Sequence, residues 1–103
     1  MTHEEALEAA KRFLSALQQR NLRVVRAYLY GSFVNGQPDA WSDIDVAVVM
    51  PNFEGDGFEF KLGLMKIARN IDLCIEPHPF LTDEFNADYP PAAEILKTGE
   101  RIM

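Results

Sequence analysis

The sequence predicts an α/β domain, a small mixed β-sheet flanked by helices, formed as a single unit over residues 1–103. Three observations lead there. The first twenty residues repeat their apolar positions at helical spacing. Short runs rich in β-branched and aromatic residues follow. Segments of the two kinds then alternate to the end of the chain. With 103 residues, 48% of them hydrophobic and 11% aromatic, the chain can build a real core within one small domain.

The first helix is expected from Thr2 to about Arg20. Thr2 with Glu5 three residues later matches a capping box. Ala6, Ala10, Phe13, Leu14 and Leu17 form its apolar stripe, and Asn21 suits its stop. Val24 to Tyr30 reads as the first strand. Gly31 to Trp41 contains Gly31, Gly36, Pro38 and Asp39 and so reads as a turn-rich connection, with a short helical turn beginning after Ser32. Asp43 to Met50 is the second strand; beyond its carboxylates it is almost wholly apolar, as an inner strand covered on both faces would be.

Pro51 to Gly57 is a loop. Its Glu54-Gly55-Asp56-Gly57 stretch is too short for a calcium EF-hand loop. Phe58 to Arg69 reads as a second full helix, with Leu62, Met65 and Ile67 among its apolar positions and Gly63 as a weak point. Ile71 to Glu76 reads as the third strand, and Pro77, Pro79 and the acidic stretch to Tyr89 as a second loop. Pro91 suits the first turn of a last short helix and Gly99 its C-terminal cap. The tail Arg101-Ile102-Met103 adds a short edge strand.

Charge and composition narrow the function classes. The net charge is -6 with a pI near 4.8, which argues against direct binding of duplex DNA. It leaves room for nucleotides held through metal ions, and for a basic protein partner. No apolar run approaches the ~20 residues of a membrane span, and no basic-then-apolar leader opens the chain. Cys74 is the single cysteine and has no internal disulfide partner; a reduced, cytoplasmic protein is expected. His3 and His78 are isolated and read as surface histidines. Lys61, Lys66 and Arg69 read as a solvated helix face.

The chemistry concentrates in Asp43 and Asp45. Alternate strand residues share a face, so the two carboxylates project together while Ile44, Val46 and Val48 turn into the core. Two like charges ~6–7 Å apart on a mostly buried strand repel and lose hydration. Magnesium or manganese offsets that cost, because both take oxygen ligands. Upstream, Gly31-Ser32 ends the first strand. Gly31 removes a side chain that would block close approach, and Ser32 adds a hydroxyl donor, a combination suited to phosphate oxygens.

The stretch YGSFVNGQPDAWSDIDVAVV closely resembles the signature of the DNA polymerase β-like nucleotidyltransferases, a Gly-Ser followed about ten residues later by Asp-x-Asp on a strand. The short chain resembles the minimal nucleotidyltransferase (MNT) members paired with HEPN proteins. The resemblance implies a polymerase β-like fold and a third acidic residue on a following strand. Asp72 is the matching position, with Glu76 on the same strand face but ~13 Å further along and less favoured. It further implies Mg2+ or Mn2+ held by Asp43, Asp45 and Asp72, and ATP or another NTP gripped at Gly31, Ser32 and Asp43. The product would be AMP transferred to a hydroxyl, with a HEPN-type toxin as acceptor and this chain as antitoxin.

The sequence departs from that pattern at Asn35, where many minimal members carry a basic residue. Asn35 lacks the charge that would clamp a phosphate, so a protein that neutralises its partner by binding alone stays open beside the enzyme. Transfer to a small molecule, as in aminoglycoside-modifying relatives, would require subunits to pair as a homo-oligomer. Trp41, next to the aspartates, is expected to pack against the domain edge, and Tyr30 to pack at its strand end.

Overall fold

The computed structural model describes residues 1–36, 38 and 42–103, with the Asn35 side chain not among the described groups. The expectations for Trp41 and for the Asn35 side chain therefore lie outside the described residues. The element order is α1 (His3–Gln19), β1 (Arg26–Tyr30), α2 (Ser32–Asn35), β2 (Ile44–Met50), α3 (Gly57–Arg69), β3 (Ile75–Leu81), α4 (Pro90–Thr98) and β4 (Glu100–Arg101).

Helix α1 starts as its sequence requires. Thr2 is the N-cap, its side chain accepts from the Glu5 amide, and the Glu5 carboxylate accepts from the Thr2 amide at 2.9 Å. At the other end Asn21 takes the left-handed conformation, φ 61°, which asparagine tolerates better than most residues. Helix α3 begins at Asp56, whose side chain accepts from the Glu59 amide at 2.8 Å.

The strands form one mixed sheet in the order β3-β2-β1-β4. β1 pairs antiparallel with β2 and with β4, while β2 and β3 run parallel, joined through α3. Pairing beyond β4 continues through the tail: Ala27 donates to Met103 and accepts from Ile102.

One face of the sheet carries the main core. Ala27, Leu29, Ile44, Val46, Val48 and Ile75 pack there under the α1 stripe of Ala6, Ala10, Phe13, Leu14 and Leu17 and under Leu64 and Ala68 of α3. Phe13 and Leu17 are fully buried, each stabilising the fold by about 1.5–3 kcal/mol through transfer from water. The opposite face holds a smaller cluster of Tyr28, Ala47, Val49, Phe85, Ala92 and Ile95 under α4. β2 is buried on both faces after Asp45, as its apolar run predicts. Among the described residues no helix is long and apolar enough to cross a membrane.

Two expectations are corrected. The face that α3 buries is centred on Leu64 and Ala68, with Phe60 and Ile67 beside them, while Leu62 is 43% exposed. The larger correction concerns β3, which begins at Ile75 rather than Ile71 and runs through both prolines to Leu81. Residues 71–74 form the turn that leaves α3. The reason lies in the hydrogen-bond phase of an edge strand. The Ile44 amide donates to the Cys74 carbonyl, and the Thr82 amide donates to the Met50 carbonyl. Even-numbered residues of β3 thus bond β2, and Pro77 and Pro79 direct their missing N–H groups toward the open edge, where no bond is lost.

Candidate functional site

Strand pairing assembles the site. Tyr30 of β1 is the Cα partner of Asp45 on β2, and Asp45 is the partner of Glu76 on β3. In-register partners point to the same side of a sheet, so Tyr30, Asp45 and Glu76 form a row across three strands. Two residues along the same face, His78 is the partner of Ala47. The row lies on the α4 side of the sheet, at the end where β1 finishes and β2 starts. All four side chains are half-buried.

Gly31 closes one side of this row. Its φ of +81° belongs to the left-handed region, and a Cβ there would collide with Oδ2 of Asp45 and come within 3.2 Å of its Cγ. Glycine is therefore required twice, for conformation and for close approach. The other carboxylate oxygen, Oδ1, faces β3 and lies 3.4 Å from Nε2 of His78. The His78 ring packs against Tyr30, centroids 5.6 Å apart. Ser32 opens α2 immediately after Gly31, and its carbonyl accepts from the Gly36 amide at 3.2 Å.

Glu76 pairs with Lys61 of α3, Nζ to Oε1 3.2 Å, with both side chains about one-third exposed. This is a partner for Lys61 that the sequence reading, which left it on a solvated face, did not assign. The surroundings of Tyr30 raise its phenol above the ordinary range: burial contributes most, then the charges of Asp45 and Glu76.

Asp43 precedes β2 and is exposed. Asp72 lies in the turn before β3, not on the strand, and its Oδ1 accepts from the Cys74 amide at 2.8 Å. Burial pushes the Cys74 thiol up, and the charge of Asp72, its hydrogen bond and the charge of Asp43 add to the rise. The structure thus sorts the acidic residues into two groups. Asp45 and Glu76 act together on Tyr30; Asp43 and Asp72 act together on Cys74. Among the described residues no three His, Cys, Asp or Glu side chains gather as a ready-made metal cluster.

His78, expected at the surface, lies beside Asp45, and Glu76 is the register partner of that aspartate. The available signal was the unbroken apolar-polar alternation from Ile75 through Pro77 and Pro79, which puts Glu76 and His78 on one face if the prolines are allowed in an edge strand.

Comparison with known proteins agrees with this architecture. The profile of the family described as a nucleotidyltransferase domain matches residues 10–93. A crystal structure from Sulfolobus solfataricus, whose protein carries a provisional nucleotidyltransferase assignment, superimposes with a TM-score of 0.63 at 17% identity, covering 97% of this chain and 79% of that one. That likeness extends the agreement to the fold. No curated protein matches the chain.

Proposed function

The chain belongs to the nucleotidyltransferase domain family, and from that premise we propose that it transfers a nucleoside monophosphate, AMP from ATP, to a hydroxyl group with the help of magnesium or manganese. The observation that supports this most is the convergence of Gly31, Asp45 and Glu76 across three chain segments. Carboxylate oxygens are hard donors that suit either ion, and Asp45 and Glu76 are open enough for an ion to reach. In this reading Asp45 and Glu76, register partners on neighbouring strands, hold the metal together with phosphate oxygens of the nucleotide, and Asp43 adds negative charge just before β2. Asp72, the residue the family pattern implies, lies in the turn before β3, where its Oδ1 accepts from the Cys74 amide.

A bound ion would neutralise phosphate charge and acidify the acceptor hydroxyl. The chain's own residues do the rest. Gly31 keeps the approach to Asp45 clear, and Ser32 donates its hydroxyl to a phosphate oxygen. The acceptor oxygen bonds to the α-phosphorus, the bond to the bridging oxygen breaks, pyrophosphate leaves, and the hydroxyl proton passes to solvent.

The acceptor in this proposal is a HEPN-type protein, with the present chain acting as its antitoxin in the cytoplasm. The net charge of -6 suits a basic partner. A second reading, neutralisation by binding without transfer, rests on Asn35, an uncharged residue at a place where the family pattern it resembles often has a basic one.

Incubation with ATP labelled at the α-phosphate, magnesium and the product of the adjacent gene separates the two. The expected result is label on that protein, lost in the Asp43→Ala, Asp45→Ala double variant. A tight complex without label replaces the enzyme by the binder. Unchanged calorimetric affinity for Mg-ATP in the double variant overturns the metal site itself.

A further inference from the structure

We propose that His78 is the positioning residue of this site, holding the Asp45 carboxylate in the orientation that receives the metal; the inference rests on the metal-binding reading above. The two oxygens of Asp45 have different surroundings. Oδ2 is pressed against Gly31, where no side chain fits. Oδ1 lies 3.4 Å from Nε2 of His78. A carboxylate bounded on both sides by neighbouring strands cannot rotate freely about its Cβ–Cγ bond. The fixed choice is which oxygen faces which strand.

The His78 ring is itself held. It packs on Tyr30, centroids 5.6 Å apart with a 58° tilt, although Tyr30 and His78 belong to strands on opposite sides of β2. They can meet because the partner of His78 on β2 is Ala47, whose methyl leaves the space above β2 open. Tyr30 is in turn the register partner of Asp45. His78 thus bridges Tyr30 and Asp45, packed against the ring of one and beside the carboxylate of the other. The carboxylate only accepts, so the contact requires a proton on Nε2 of His78. At 3.4 Å the contact is long for a hydrogen bond. Partners that orient metal-binding groups typically account for about 10–100-fold in metal affinity.

The first test needs no metal. Nitrogen-15 correlation spectra of the folded chain are expected to show a proton on Nε2 of His78, with its imidazole signals moved in an Asp45→Ala variant. An Nδ1–H tautomer, or signals indifferent to that variant, overturns the inference. The second test measures Mn2+ affinity by electron paramagnetic resonance. His78→Ala is expected to bind Mn2+ about 10–100-fold more weakly, and His78→Gln, whose amide can donate from nearly the same place, to recover most of the loss. Equal affinity in wild type and His78→Ala overturns the inference while leaving the metal site intact. A wild type that binds no Mn2+ defeats the metal reading and this inference with it, whatever the tautomer.

Discussion

Gly31 stands so close to Asp45 that any side chain at residue 31 would overlap the carboxylate. Gly31 follows the last residue of β1, and Asp45 is the second residue of β2. Their contact ties the glycine to the carboxylate that the proposal assigns to the metal, beyond its part in the turn. Gly31→Ala is expected to destabilise the fold by about 1–2 kcal/mol from the left-handed backbone alone. It should also weaken Mg-ATP binding in protein that remains folded. Urea unfolding and calorimetry measure the two effects separately, and full affinity in folded Gly31→Ala would show that Asp45 is not used as described.

Glu76 and Asp72 make opposite predictions. Glu76→Gln is expected to lower transfer by at least about 100-fold, or roughly 2.7 kcal/mol of barrier, with the melting temperature little changed. Asp72→Ala should keep most of the transfer and lose about 0.5–1.5 kcal/mol of stability with its hydrogen bond to the Cys74 amide. The reverse pattern in a transfer assay paired with thermal melts would restore Asp72 as the third carboxylate.

Cys74 reports on the same turn. Burial, helped by Asp72 and Asp43, raises its thiol pKa above the ordinary 9.0. Only the thiolate reacts with aromatic disulfide reagents, so at pH 8 the folded protein should react more slowly than a cysteine peptide. Asp72→Asn keeps an oxygen for the Cys74 amide but removes the charge, and should speed the reaction. An unchanged rate would mean that Asp72 does not bear on the thiol.

The capping box of α1 gives a prediction about stability against pH. Backbone and side-chain hydrogen bonds from Thr2 lower the Glu5 carboxyl below its ordinary 4.5. A group whose folded pKa is depressed adds stability above its unfolded value and loses it as pH falls through its folded value. The contribution of Glu5 is therefore complete at neutral pH and fades below about pH 4.5. Thr2→Ala should cost about 1 kcal/mol at neutral pH, and melts repeated toward pH 3 should show the difference from wild type shrinking.

Much of this protein was legible before any tertiary contact was considered. The capping box, the stripe of α1 and the apolar run of β2 are local, and each followed from spacing alone. The exposed Leu62 shows where that reading weakens: in α3 the apolar residues do not form a single stripe, so the buried face depends on what packs against it.

What the sequence determined by itself is which residues share a strand face, because that depends only on the two-residue repeat of one strand. Hence Asp43 was paired with Asp45, and Ile44, Val46 and Val48 with the core, correctly for the buried three. The tertiary structure alone decided which residue of the next strand stands beside Asp45. Register between parallel strands is set by the α3 crossover and by the bond between the Ile44 amide and the Cys74 carbonyl, neither of which leaves a periodic trace. That register brings Glu76 into the row, leaves Asp72 in the turn, and turns His78 from a surface histidine into a neighbour of Asp45.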